Sequence, residues 1–217
     1  GVVLYNGTIY PGVYKGRRNA TVVSVFEAIG AYRDGKITLE DLYEAENGAC
    51  PGAGACGGQL TANTMSTFLE FVGLSPAGLN GIPAEDPAKH EAARKVGELA
   101  MTLVRHDIRP SRFVTRASIE NAIALVMATG GSTNAVLHYL AIASAAEVKW
   151  TIDDFERMRR KVPVLCDLKP SGKYVAVDFH RAGGVPQVLK ILLANGVLHG
   201  ECMTVTGAVD YVMRIVT

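Results

Sequence analysis

Apolar residues recur at intervals of three and four along much of this chain, and that spacing constrains the fold more than any other feature. Such intervals place apolar side chains on one face of a helix, where they can pack together. Two clear examples are Val22, Val25, Phe26 and Ile29, and Met65, Phe68, Leu69 and Val72. Similar patterns predict helices over residues 89–105, 118–129, 135–146, 152–161 and 185–194, and one that starts at Thr38. The expected helix starts and caps are Thr61 or Asn63, Ser118, and Ser132 or Thr133.

Short apolar runs bounded by Gly, Pro or Asn are the candidates for strands. They cover residues 2–5, 8–10 and 162–166, and a tail of alternating Val and Met residues follows residue 202. The apolar residues in these runs are too continuous for strands with one solvent-exposed face. They therefore favour a layered fold in which helices cover the strands. With 217 residues, no internal repeat and no linker, one domain is the default expectation. We therefore predict an α/β fold: a helix-rich layered domain around short, mostly parallel strands.

The charge balance and the apolar content argue against several classes of protein. Hydrophobic residues make up 48% of the chain and charged residues 20%, which is typical of a globular protein and not of a disordered one. Lys and Arg number 22 against 21 Asp and Glu, and this near-neutrality argues against a nucleic-acid partner, which normally needs a basic face. No run approaches eighteen apolar residues, so we expect no membrane-spanning helix.

Cysteine usage and the first residues indicate a reducing compartment. The four cysteines, Cys50, Cys56, Cys166 and Cys202, are too sparse for a secreted disulfide framework. Residues 1–7 lack the basic segment and apolar core of a secretory signal. We therefore expect reduced thiols and a cytoplasmic location, and each thiol taken alone is expected to be a buried apolar group.

The glycine-rich segment 48–58 contains the first candidate for chemistry. Its Gly52-x-Gly54-x-x-Gly57 pattern matches the dinucleotide-binding fingerprint, but the preceding segment is predicted to be helical and no acidic residue follows about twenty positions later. Dinucleotide binding by this segment is therefore rejected. Cys56 stands just before a predicted helix, where free amides and the helix dipole favour a thiolate that can bind metal or attack electrophiles. The alternative is a tight turn in which Cys56 merely packs, and its six-residue separation from Cys50 fits neither zinc nor common ferredoxin spacing.

A second candidate is the segment 130–134, Gly-Gly-Ser-Thr-Asn, followed by His138. Such a turn into a helix presents unpaired amides and hydroxyls that suit a carboxylate or a phosphate. The alternative is that one helix simply ends where the next begins. His138 falls inside an apolar helix, so we expect a satisfied core histidine, and for His180, beside charged residues and a Gly pair, we also expect a structural role.

A resemblance to a known family extends over residues 5–207, and six segments carry it. Residues 50–58 read Cys-Pro-Gly-Ala-Gly-Ala-Cys-Gly-Gly, residues 61–65 read Thr-Ala-Asn-Thr-Met, and residues 130–138 read Gly-Gly-Ser-Thr-Asn-Ala-Val-Leu-His. The other segments are 167–174, 180–184 and 199–207. In this order they resemble the dihydroxy-acid dehydratases of branched-chain amino-acid synthesis. The wider superfamily includes 6-phosphogluconate and sugar-acid dehydratases, but residues 61–65 are more similar to the dihydroxy-acid branch.

The resemblance implies an iron–sulfur lyase acting on a small dihydroxy acid in valine, isoleucine, leucine and pantothenate biosynthesis. Such enzymes hold the cluster, [2Fe–2S] or [4Fe–4S], with three cysteines and leave one iron open as a Lewis acid for the departing 3-hydroxyl. A magnesium ion holds the substrate carboxylate and 2-hydroxyl, and a base removes the C2 proton to give a 2-keto acid. Cys56 matches the last of the three ligand cysteines, so it is the residue expected to bind the cofactor and its metal. The resemblance also implies a homodimer at full length.

The same resemblance implies that residues 1–217 form a partial N-terminal, cluster-binding domain. The family's other two cluster cysteines and its principal magnesium-binding carboxylates have no counterpart here, and Cys50, Cys166 and Cys202 do not occupy those positions. The serine proposed as base belongs to a C-terminal domain, so no catalytic residue is assigned in this chain. After Gly207 the resemblance fades. We expect the chain alone to be inactive, and the alternatives are a sugar-acid or 6-phosphogluconate dehydratase or a non-catalytic chain kept for folding or assembly.

Overall fold

Helices account for most of the regular structure in the computed structural model, which describes residues 1–209. Its described α-helices are α1 (Val22–Arg33), α2 (Leu39–Ala49), α3 (Thr61–Phe71), α4 (Ala88–Arg105), α5 (Arg116–Thr129), α6 (Asn134–Ala145), α7 (Ile152–Arg159), α8 (Ala176–Arg181) and α9 (Gly184–Ala194). The strands are β1 (Gly12–Tyr14), β2 (Arg17–Ala20), β3 (Met203–Thr204) and β4 (Gly207–Ala208). The prediction of a helix-rich α/β domain is confirmed. The end of the predicted Val and Met tail, residues 210–217, lies outside the described residues.

The strands pair differently from the mostly parallel arrangement that the sequence predicts. β1 pairs with β2 and β3 with β4, both antiparallel. Between β1 and β2 the turn residues Lys15 and Gly16 have φ values of 47° and 70°, the left-handed pair that matches the twist of a two-residue hairpin. Parallel pairing among residues 1–209 is limited to isolated bridges, and the predicted strand 8–10 is reduced to one of them, between Thr8 and Ala55.

The two other predicted strands, 2–5 and 162–166, are wrong. The N–H of Val3 donates to the carbonyl oxygen of Leu74 at 2.8 Å, so the first segment is bonded to a loop. The N–H of Leu165 donates to the carbonyl oxygen of Ala128 at 2.7 Å, so the second is bonded to the end of α5. Loops and helix ends satisfy these backbone groups, and no neighbouring strand is required.

Helix α5 lies at the centre of the main hydrophobic core. Its residues Ile119, Ile123 and Leu125 are fully buried, and apolar side chains of α3, α6, α7 and α9 surround it. A helix that is covered on nearly every side has to be apolar nearly throughout, which explains its sequence. Because α3 packs directly against α5, this core also fixes the loop that precedes α3, and that loop carries Cys56. No helix among the described residues has the length and apolar character needed to cross a membrane.

Capping side chains set the starts of α2 and α5, and the start of α5 is shifted from the predicted position. At α2, Thr38 and Asp41 exchange side-chain and backbone hydrogen bonds of 3.1 and 2.9 Å, which confirms the start at Thr38. Helix α5 begins two residues before the predicted Ser118, because Thr115 is the cap and Ser118 bonds back to it. Gly130 ends α5 in the left-handed conformation, with φ of 64°, as its position in the sequence predicts.

Candidate functional site

The loop that carries Cys56 is bonded along one side to residues 7–9. The N–H of Ile9 donates to the carbonyl oxygen of Ala55 at 2.7 Å, and the N–H of Ala55 donates to that of Gly7 at 2.9 Å. The hydroxyl of Thr8 then donates to the carbonyl oxygen of Cys56 at 2.8 Å. The position of Cys56 is therefore set by a segment that is distant in sequence, since Thr8 lies 48 positions before Cys56.

Asn63 holds the other side of the loop from the first turn of α3. Its side-chain amide donates to the carbonyl oxygens of Cys56 and Gly58, at 2.5 and 2.6 Å. The side-chain oxygen Oδ1 of Asn63 accepts a hydrogen bond from the hydroxyl of Tyr5 at 3.1 Å. The cap of α3 is Leu60, which makes no side-chain bond, so the predicted cap role of Asn63 is wrong because its side chain is engaged with the loop.

Glycine is required in this loop because the chain approaches its own backbone closely. Gly54 has φ of 134°, and a Cβ there would lie 2.5 Å from the backbone nitrogen of Ile9. A Cβ on Gly58 would lie 2.9 Å from the carbonyl oxygen of Lys169. These contacts are tighter than a side chain tolerates, so internal packing alone accounts for these two glycines.

The four cysteines have different surroundings, and all are free thiols. Burial raises the pKa of Cys166, and it raises that of Cys202 to about 11 with help from Glu201 and Glu120. Both thiols therefore stay protonated at neutral pH. Cys50 is exposed, whereas Cys56 is half-buried in the anchored part of the loop. Cys56 is the partly accessible thiol of the glycine-rich loop, and two side chains hold its backbone carbonyl.

The segment 130–134 meets the Cys56 loop at the start of α3. The hydroxyl oxygens of Ser132 and Thr61 lie 3.1 Å apart, and the N–H of Ser132 donates to the hydroxyl of Thr64 at 3.0 Å. The side-chain amide of Asn134 donates to the hydroxyl of Thr61, also at 3.0 Å. The structure thus brings the two candidate motifs of the sequence together. Thr61 and Ser132 are 71 positions apart in the sequence.

The two candidate histidines have different fates. His138 is exposed, because α6 turns Ala135, Tyr139 and Ala143 toward the core, so the expectation of a core histidine is wrong. His180 is half-buried, and burial lowers its pKa. A Cβ on Gly81 would lie 2.9 Å from its ring nitrogen Nδ1, so the ring packs closely against that backbone. This packing is consistent with the structural role expected for His180.

Glu70 is a buried carboxylate that the sequence analysis missed. It is only 2% exposed and accepts the N–H groups of Gly78 and Asn80 at 2.7 and 2.9 Å. Burial raises the pKa of Glu70 to about 7, although these N–H groups and the charge of Lys89 oppose the rise. It lines a cavity of 320 Å³ that extends to Asn63 and His180. Glu70 shares its buried face of α3 with other polar side chains, so the apolar spacing that predicted the helix did not mark it.

The described residues fit one part of the cofactor that the resemblance implies. Cys56 is a soft donor suited to iron, and it lies on a fixed loop. No group of three or more His, Cys, Asp or Glu side chains suited to a metal ion forms within residues 1–209. Cys56 therefore fits as a single ligand of an iron–sulfur cluster, and no magnesium ligand is assigned among these residues.

Comparison with known proteins decides the family. A family model described as dihydroxy-acid/6-phosphogluconate dehydratase N-terminal matches residues 1–210. The chain belongs to this family. This result confirms the resemblance drawn from the six sequence segments, and it places Cys56, Asn63 and the segment 130–134 within the matched N-terminal region of the dehydratase family.

Individual dehydratases are similar over nearly the same region. A dihydroxy-acid dehydratase of Nitrosospira multiformis is 58% identical over 206 residues, and one of Chloroflexus aurantiacus is 59% identical over 206 residues. Dihydroxy-acid dehydratase 3 of Bordetella bronchiseptica is 57% identical over 207 residues. Each match covers 95% of this chain but only 36–37% of the relative. The chain therefore spans little more than a third of the length of these curated relatives.

Proposed function

We propose that this chain contributes the cluster-binding part of a dihydroxy-acid dehydratase, a hydro-lyase of branched-chain amino-acid biosynthesis. The observation that carries the proposal is the anchored Cys56 loop, inside a region 55–59% identical to proteins with that name. The substrate class is a 2,3-dihydroxy-3-methyl carboxylic acid. The C2 hydrogen and the C3 hydroxyl leave as water, and the resulting enol becomes a 2-keto acid.

In this proposal Cys56 is a thiolate ligand of an iron–sulfur cluster, and magnesium is bound by groups other than the described residues. When bound, such a cluster supplies an open iron position that acts as a Lewis acid toward the substrate hydroxyl. Thr8 and Asn63 hold the Cys56 backbone, and the Thr61, Thr64 and Ser132 bonds fix the start of α3 beside it. The described residues thus provide an ordered support for one ligand.

The first test uses the protein expressed from its complete gene and reconstituted anaerobically with iron and sulfide. Cys56→Ser is expected to lose most of the cluster, since serine replaces a soft thiolate with a weakly acidic hydroxyl. Cys50→Ser is the matched control in the same loop and should keep it. Iron, acid-labile sulfide and visible absorption per chain report the result. Equal cluster content in wild type and Cys56→Ser would refute the ligand assignment, and loss only in Cys50→Ser would transfer it to the other thiol.

Substrate and assembly are tested on the same preparation. Dehydration of a 2,3-dihydroxy-3-methyl acid, with 6-phosphogluconate and a sugar acid as competitors, distinguishes the branches of the superfamily. We further propose a homodimer in the cytoplasm, which light scattering and cell fractionation can check.

Residues 1–217 alone are proposed to be inactive, because one ligand cysteine cannot retain a cluster. Keto-acid formation by that fragment above a mock preparation would contradict this. A folded complete protein that binds no iron would instead favour a non-catalytic folding or assembly role.

A further inference from the structure

Three successive peptide groups around Cys56 have their carbonyl oxygens fixed by the protein. The carbonyl of Ala55 accepts the N–H of Ile9 at 2.7 Å. The carbonyl of Cys56 accepts both the Thr8 hydroxyl and the Asn63 amide. The carbonyl of Gly57 accepts the N–H of Ala176 at 2.7 Å.

The N–H groups of the same peptides have no partner in the described part of the chain. In a trans peptide the N–H points away from the carbonyl of the preceding residue. The N–H groups of Cys56, Gly57 and Gly58 are therefore directed away from the donors that hold those carbonyls. None of the three donates a hydrogen bond to any of residues 1–209.

Two of these N–H groups belong to buried residues. Gly57 and Gly58 are both buried, whereas Cys56 is half-buried. A buried N–H without an acceptor costs about 1–3 kcal/mol, and native proteins nearly always satisfy such groups. Successive free N–H groups of this kind suit an anionic acceptor. The structure thus leaves the N–H groups of the two residues that follow the proposed ligand Cys56 without a protein acceptor among residues 1–209.

We propose that the N–H groups of Gly57 and Gly58 donate hydrogen bonds to sulfur atoms of the cluster that Cys56 binds, and that Asn63 is the positioning residue for these donors. The inference rests on the proposed function, because it requires a sulfur-containing group at Cys56. Hydrogen bonds to cluster sulfur stabilise the added negative charge of the reduced state, so they raise the reduction potential. Asn63 acts through the backbone, because its amide holds the carbonyls on both sides of Gly57.

The test compares Asn63→Ala with two further variants in the reconstituted protein from the complete gene. Thr8→Val is a milder change of nearly equal size that removes the hydroxyl donor to the carbonyl of Cys56. Asn121→Ala is the matched control, because Asn121 is also a buried asparagine with two bonds to a backbone, that of His199. The measurements are the reduction potential, the shift of the iron–sulfur vibrational bands in D2O, and iron retention against a chelator.

Asn63→Ala is expected to shift the potential to more negative values, diminish the D2O shift, and reduce iron retention about tenfold. Thr8→Val should change all three in the same direction by less, and Asn121→Ala should match wild type. If Asn63→Ala fails to fold or binds no iron, Thr8→Val decides the question by the same criteria. Unchanged potential and D2O shift in the iron-loaded variants would overturn the inference, as would an equal change in Asn121→Ala. These failures leave the ligand assignment standing, since only Cys56→Ser tests it.

Discussion

The hydroxyl oxygens of Thr61 and Ser132 lie 3.1 Å apart and join the two glycine-containing motifs of the chain. Thr61 opens α3 directly after the Cys56 loop, and Ser132 stands in the turn between α5 and α6. The loop and the turn therefore form one supported unit, and disturbing one side is expected to affect the other.

This contact predicts an energetic coupling between Thr61 and Ser132. In a double-mutant cycle of Thr61→Val and Ser132→Ala, we expect a coupling of about 0.5–1.5 kcal/mol, the usual net value of one hydrogen bond. Chemical denaturation of the four proteins measures it. Ser111 is exposed and makes no bond to Thr61, so the cycle with Ser111→Ala should give no coupling. Strict additivity in the Thr61 and Ser132 cycle would contradict the prediction.

The buried Glu70 carboxyl predicts a pH-dependent stability. Its pKa in the folded protein, about 7, lies above the ordinary value of 4.5, so the folded state binds the proton more tightly than the unfolded state. Stability from this group is therefore fully present below about pH 4.5 and falls as the pH rises toward 7. The size of this contribution is on the order of 3 kcal/mol. Urea unfolding across this range measures it.

Glu70→Gln is expected to remove that part of the pH dependence. It should also lower stability by about 1–3 kcal/mol, because an amide N–H2 would face the N–H of Gly78 or Asn80. Glu46→Gln, an exposed change on α2, is the control and should preserve the wild-type profile. A Glu70→Gln protein with the full wild-type pH dependence would show that another group is responsible.

Alanine substitutions at Gly130 and at Gly97 are expected to change the stability in opposite directions. A Cβ would meet nothing within 4 Å at either position, so only the backbone conformation differs. Gly130 has φ of 64°, and alanine there should cost about 1–2 kcal/mol. Gly97 lies within α4, and alanine there should stabilise by about 0.5–1 kcal/mol. Thermal unfolding midpoints measure both, and shifts of the same sign would contradict the prediction.

The hydroxyl of Tyr139 is expected to contribute nothing favourable to the stability of the folded protein. Its side chain is fully buried and its hydroxyl has no hydrogen-bond partner among residues 1–209. Tyr139→Phe should leave stability unchanged or raise it by about 1 kcal/mol, because a buried hydroxyl without a partner carries a desolvation cost. Tyr5→Phe is the opposite case and should destabilise, since that hydroxyl donates to Asn63. Equilibrium unfolding of both variants provides the comparison, and a marked loss in Tyr139→Phe would indicate an acceptor outside the described residues.

Local patterns in the sequence were enough for every described helix except α8 and for Cys56, whereas the buried Glu70 was missed. The spacing of Val22, Val25 and Phe26 placed α1, and the pairing of Thr38 with Asp41 set the start of α2. These features depend on neighbours within one or two helical turns. The six motif segments, with Cys56 among them, likewise predicted the family that the comparison confirmed.

The tertiary structure alone decided which distant residues support those candidates. Thr8, Asn63 and Ala176 converge on the carbonyls around Cys56, and Ser132 meets Thr61 at the start of α3. The segments 2–5 and 162–166 failed as strands for the same reason, because loops and a helix end supplied their hydrogen bonds. The sequence determined periodicity and residue chemistry, which are local. The packing of α3 against α5 determined which backbone groups meet. No local pattern in the sequence encodes contacts between residues so far apart along the chain.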